Sequence, residues 1–98
     1  MSLSEPQKKF LRGLGHQLSP VITVGGAGLT DAVQQEFTSS IAHHELMKVR
    51  IRVGDREARD AIIEQLCQRA EAELVTRIGN VALVYKRNDD KPKIPLPI

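Results

Sequence analysis

Leu46-Met47-Lys48-Val49-Arg50-Ile51-Arg52-Val53 decides the fold, because its residue types alternate without a break. Met47, Val49, Ile51 and Val53 fall on one side of an extended chain and Lys48, Arg50 and Arg52 on the other. This is the two-residue period of a strand with one buried and one wet face. Upstream, Leu29, Val33, Phe37 and Ile41 recur every fourth residue, the buried stripe of a helix capped by Thr30, opened by Asp31 and closed by His43-His44. Before it, Val21-Ile22-Thr23-Val24 is a short apolar run that predicts a strand buried on both faces. Gly25-Gly26-Ala27-Gly28 turns from that strand into the helix. Further out, Ser4 caps a first helix with Pro6 in its opening turn and Gln7 completing a capping box. Phe10, Leu11 and Leu14 form its apolar stripe, Gly13 and Gly15 erode its end, and Ser19-Pro20 closes it.

Downstream, Gly54-Asp55 leads into a third helix with Ala58, Ala61, Ile62, Leu66, Cys67 and Ala70 on its apolar side. Two strands, 74–78 and 81–86, follow, joined by Gly79-Asn80, a two-residue hairpin connection. The order is αβαβαββ. Short turns between strand, helix and strand imply parallel neighbours, and the hairpin adds an antiparallel pair. The fold class is therefore α/β (α+β), a four-stranded mixed sheet with three helices. Residues 1–87 form one domain, and 88–98, with Pro92, Pro95 and Pro97, form an extended C-terminal tail with little regular structure.

Ninety-eight residues hold one hydrophobic core and too few for two domains, and 41% hydrophobic with 27% charged residues is a globular composition. No apolar run approaches a bilayer's width, so no membrane partner is expected. The N-terminus lacks the build of a signal peptide, and Cys67 is the one cysteine, which fits a reducing cytoplasm. The formal charge is only +2, but its distribution is uneven. Lys8, Lys9 and Arg12, then Lys48, Arg50 and Arg52, then Arg77, Lys86, Arg87, Lys91 and Lys93 are basic clusters. Between them, segments 31–45 and 55–73 are acidic. A fold that sorts these segments would have one basic and one acidic face, and a basic face is the footprint of a polyanion. Alternating charge that only keeps a domain soluble is the competing explanation.

The 25–28 loop feeds a helix N-terminus rich in unpaired N–H groups, a ready site for phosphate. It lacks the lysine and hydroxyl of a Walker A loop and the spacing of a dinucleotide fingerprint, leaving a G-x-x-G turn between strand and helix. Cations at Lys48, Arg50 and Arg52 on one strand face, and Lys8, Lys9 and Arg12 on a helix, are further candidates. Each alone is equally a solvated surface. The catalytic inventory is thin. Cys67 lies near an apolar stripe, His43 and His44 diverge, and His16 has no acid or nucleophile nearby in sequence. Neither a cofactor, a metal, nor a small-molecule substrate is expected, and the chain is read as a non-enzyme. The aromatics are Phe10, Phe37 and Tyr85, with the two phenylalanines assigned to core stripes. That favours recognition of structured RNA by backbone and shape over base stacking. Two other readings stay open: a small phosphate-handling enzyme using the loop as an anion cradle, and a protein-interaction module acting through its acidic helices.

Several blocks together resemble one known family. They are Leu11-Arg12-Gly13-Leu14-Gly15-His16-Gln17-Leu18-Ser19-Pro20-Val21, Val24-Gly25-Gly26-Ala27-Gly28-Leu29-Thr30, His43-His44-Glu45-Leu46-Met47-Lys48-Val49, Gly79-Asn80 with Leu83-Val84-Tyr85-Lys86-Arg87, and Lys93-Ile94-Pro95-Leu96-Pro97. In order and spacing they are similar to the YhbY family, stand-alone versions of the CRM (chloroplast RNA splicing and ribosome maturation) domain. The resemblance implies a fold similar to the C-terminal domain of translation initiation factor three. It implies RNA binding through Gly25, Gly26, Ala27 and Gly28 with nearby basic surface, for which Lys8, Lys9, Arg12, His16, Lys48, Arg50 and Arg52 are the candidates. It also implies a role in assembly of the large ribosomal subunit, with ribosomal RNA or pre-ribosomal particles as partner. Where many family loops carry a lysine or polar residue between the glycines, this one has Gly26 and Ala27. Phosphate contact by the loop would then rest on backbone N–H groups and neighbouring lysines.

Overall fold

The alternating stretch forms an inner strand, β2 (Leu46–Ile51), in a four-stranded sheet. The computed structural model describes residues 2–97, so Met1 and Ile98, the outer bounds of the two segments read from the sequence, lie outside the described residues. In chain order the elements are α1 (Glu5–Gly15), β1 (Pro20–Val24), α2 (Asp31–His44), β2, α3 (Arg56–Ala70), β3 (Glu73–Ile78) and β4 (Val81–Tyr85). The three helices start where side-chain oxygens accept early backbone N–H groups: Ser4 from Gln7 at 3.3 Å, Thr30 from Val33 at 3.2 Å and Asp55 from Ala58 at 2.9 Å. Gln7 Oε1 returns the bond from the Ser4 N–H, completing the capping box.

The sheet order is β1-β2-β4-β3, with β1 and β2 parallel and the other two pairs antiparallel. The crossover through α2 does produce parallel neighbours. The crossover through α3 does not, because β4 inserts between β2 and β3 and satisfies both edges at once. Antiparallel pairing with β4 gives β2 the full ladder Leu46↔Tyr85 to Arg50↔Val81.

Two apolar clusters lie on opposite faces of this sheet. On one face, Phe37 and Ile41 of α2 and Ile63, Leu66, Cys67 and Ala70 of α3 pack against Ile22, Val24, Met47, Val49, Ile51, Ala82 and Val84. Full burial of a side chain such as Phe37 or Ile41 stabilises the fold by roughly 1.5–3 kcal/mol. On the other face, Leu3 and Leu11 pack on Leu46, Val75, Leu83 and Tyr85, with Ile94 and Leu96 of the tail at the margin.

Four expectations need correction. β1 is an edge strand with one dry face: Ile22 and Val24 are buried, while Val21 is 47% exposed. The α1 stripe is centred on Leu11 and Gly15, and Phe10 and Leu14 lie on an exposed flank. Gly15 does not erode that helix but belongs to it; a Cβ there would stand 2.7 Å from Leu83 Cδ2, so the glycine lets α1 settle onto β4. In α3 the buried row is Ile63, Leu66, Cys67 and Ala70, with Ala61 exposed and Ile62 only partly covered.

The 88–97 segment has no helix or strand, but it is anchored. Glu45, fully buried between α2 and β2, has a left-sided φ of 69° and sends its N–H to Ile41 O at 2.9 Å. Its carboxylate accepts the N–H groups of Asn88 (2.9 Å), Lys93 (3.1 Å) and Ile94 (2.8 Å), and its carbonyl accepts from Lys86 N at 2.8 Å. Gln7 Nε2 then donates to Pro97 O at 2.9 Å, tying the segment to the start of α1.

Candidate functional site

Helix α1 covers only one end of its sheet face. The other end is open and forms a groove of about 390 Å³ beside the helix C-terminus. Its floor is Leu83 and Val81 of β4 with Thr76 and Ile78 of β3; Lys48 and Arg50 of β2 and Pro20 of β1 continue it, and Arg12, Gly15 and His16 form the wall. Sequence periodicity placed Lys48 and Arg50 on the wet strand face, and that face is the groove. Arg12 and His16 join them because positions four apart on a helix share a flank.

Charge in this groove has one sign. Among the described residues no carboxylate lines it, and Lys8, Lys9, Arg12, Lys48, Arg50 and Arg52 enter no ion pair. Of the arginines elsewhere, Arg56 and Arg77 meet Asp60 and Arg87 meets Asp89, while Arg59 and Arg69 enter no ion pair among the described residues. Lys8 and Lys9 are not groove residues. They stand about one turn back toward the start of α1, roughly 6 Å from Arg12 along the axis.

The glycine loop adjoins the same strip. Thr23 pairs with Arg50 and Val24 with Ile51, and Arg52 N–H donates to Val24 O at 2.8 Å, so Arg52 sits beside the residue preceding Gly25. The loop is a turn closed by Gly28 N–H to Gly25 O at 3.0 Å, with Gly28 at a φ of 74° that favours glycine. Gly25 and Gly26 have ordinary backbone angles, and an added Cβ at either would meet nothing within 4 Å. The fold therefore does not require those two glycines. The exposed Gly26 and Ala27 N–H groups make no hydrogen bond among the described residues. The α2 N-terminus is less open than the sequence suggested, since the Thr30 side chain takes the Val33 N–H and Asp31 occupies the first turn.

The remaining candidates separate from this strip. Tyr85, the one aromatic not assigned to a core stripe, is buried under α1, and Phe10 is the exposed one. Burial raises the Tyr85 hydroxyl pKa, helped by the Glu45 and Asp89 carboxylates and opposed by Arg87. Cys67 lies in the core, where burial first and Glu73 second push its thiol up to about 11, so the reactive thiolate is scarce at neutral pH. His43 and His44 are exposed at the end of α2, their rings edge to face at 5.0 Å. Sequence patterns missed Thr76, Ile78 and Val81 as groove residues. Their signal was an apolar residue, Ile78, at a strand end where no partner segment remained.

Comparison with known proteins identifies a family and a matching fold. The model of the CRS1 / YhbY (CRM) domain family matches residues 3–86. A Haemophilus influenzae protein named "RNA-binding protein" is 42% identical over 96 residues, 98% of this chain and 96% of that one. A Bacillus subtilis protein named "Probable RNA-binding protein YqeI" is 32% identical over 95 residues, 97% of this chain and 99% of the other. The solution structure of a Staphylococcus aureus protein superposes with a TM-score of 0.84 at 26% identity, covering 98% of this chain and all 100% of that one.

Proposed function

The chain belongs to the CRS1 / YhbY (CRM) domain family, and from that premise we propose that it is a non-catalytic RNA-binding protein for structured ribosomal RNA. The observation that carries this reading is a groove lined by Arg12, Lys48 and Arg50 that, among the described residues, holds no carboxylate and no ion pair, with Arg52 and the unbonded amides of the glycine turn following at the ends of β2 and β1. Phosphates of one strand would lie along the cations while the next phosphate approaches Gly25 and Gly26, where no side chain stands in the way. Lys8 and Lys9 extend the field along α1 and act at longer range. His16 at the groove wall adds a donor.

The resemblance of the sequence blocks implies a more specific role, assembly of the large ribosomal subunit, and the lone Cys67 fits a cytoplasmic setting for it. A phosphate-handling enzyme is disfavoured by the groove itself, because among the described residues His16 has no carboxylate partner there to complete an acid/base pair.

Fluorescence anisotropy with a labelled large-subunit ribosomal RNA hairpin tests the binding. Log affinity should fall linearly with log salt, with a slope on the order of −3 to −5 for about four to five neutralised phosphates. Reversing the charge of Lys8, Lys9 and Arg12 together should flatten the slope and weaken binding. Affinity indifferent to both would overturn the reading. Co-sedimentation with large-subunit precursors, lost after nuclease treatment, tests the assembly role.

A further inference from the structure

The groove beside α1 has a floor that phosphate contact alone does not explain. Ile78 is 78% exposed, and it shares the floor with Val81 and Leu83 in a concavity rimmed by Arg12, His16, Lys48 and Arg50. Leu83 is buried beneath, so the aliphatic surface left in water is that of Ile78 and part of Val81, and among the described residues no segment covers it. The tail runs to the opposite end of the face, where Pro97 O meets Gln7 Nε2. An apolar floor inside a ring of cations is complementary to a group that is flat and apolar in its body and anionic at its edge.

Resting on the RNA-binding reading above, we infer that this groove receives one unstacked nucleotide of the bound RNA, its base on Ile78, Val81 and Leu83 and its flanking phosphates on Arg12, Lys48 and Arg50. A volume of about 390 Å³ falls in the range of sites that enclose a small ligand and is far too small for a duplex. A paired helix presents phosphates and hydroxyls at its surface, and these match the rim but not the floor; a base that has left the stack matches both. Because the floor is aliphatic, the site tolerates any base. The preferred RNA is a helix interrupted by a bulge or loop, with the helical backbone on the loop side of the strip.

The test compares two RNA hairpins that differ by a single unpaired nucleotide, carrying 2-aminopurine at that position. The protein should bind the bulged hairpin about fivefold more tightly than the fully paired one and change the 2-aminopurine emission on binding. Ile78→Ser, at an exposed position that leaves the fold intact by circular dichroism, should reduce the preference for the bulged hairpin below about twofold. Val81→Ala is the second variant and should act in the same direction. Equal affinity for the two hairpins, or a preference that survives both variants, overturns the inference while RNA binding stands. Binding of neither hairpin overturns both readings. Free nucleoside monophosphate that displaces the bulged hairpin at micromolar concentration would make the groove a small-molecule site and overturn its assignment to RNA.

Discussion

Glu45 occupies a backbone conformation, φ 69°, that side-chain-bearing residues rarely adopt, and it does so with no exposed surface. Three N–H groups of the 88–97 segment converge on its carboxylate, which balances the cost of burying that charge. Glu45→Ala should therefore lower stability by on the order of 3 kcal/mol, the scale of hydrogen bonds to a charged group plus donors left unmet. Glu45→Gln keeps one oxygen for Lys93 and Ile94 and should cost less. Urea midpoints measure both, and limited proteolysis near Lys91 should accelerate in the same order. A second residue-scale effect concerns alkaline pH. The folded state holds the Cys67 proton up to about 11 against an ordinary value of 9.0, and Tyr85 is shifted in the same direction. Both groups keep protons that the unfolded chain releases. Stability present below pH 9 should then decline as pH rises toward 11, by roughly 2 kcal/mol from the thiol. Cys67→Ala should flatten that part of the profile in urea titrations between pH 8 and 11. At pH 8 the native thiol should resist alkylation by iodoacetamide.

Among the elements, α1 depends on one close approach. Gly15 faces Leu83 with 2.7 Å between the position of its missing Cβ and Leu83 Cδ2, so Gly15→Ala overpacks the contact. A cost of about 1–3 kcal/mol is expected, despite alanine's better helix propensity. Leu83→Ala should be destabilising alone but partly compensatory in the double variant, a coupling that a double-mutant cycle in urea reads directly. The same contact shows where sequence legibility ended. Period-two alternation at 46–53 and period-four recurrence from Leu29 to Ile41 each reflect one element against one core, and both identified their elements. Which strand neighbours which is decided by ladder energetics between distant segments, so the insertion of β4 between β2 and β3 left no local trace. In α1, a narrow helix-to-sheet contact buries Leu11 and Gly15 only, and an apolar stripe drawn through Phe10 and Leu14 follows hydrophobicity into solvent.

At the scale of the whole molecule, the sheet sorts charge that the sequence merely alternates. Helix α3, with Glu57, Asp60 and Glu64 exposed and Glu71 exposed at its C-cap, packs on the face opposite α1, away from Arg12, Lys48 and Arg50. The cations of the candidate site were legible because an alternating strand announces its wet face. The groove was not, because it is made of what α1 fails to cover. This two-sidedness has a measurable consequence. Arg12→Glu and Arg69→Glu change net charge equally, and Arg69 is exposed in the last turn of α3. If net charge alone drove association, the two variants would weaken RNA binding alike. With phosphates seated on the α1 side, Arg12→Glu should lower affinity about tenfold at 100 mM salt and reduce the salt slope by about one. Arg69→Glu, on the far face with the sheet between it and the groove, should leave affinity within about twofold and the slope unchanged. Anisotropy titrations of both variants across a salt series decide the matter, and equal losses would mean that the RNA does not lie on the α1 face.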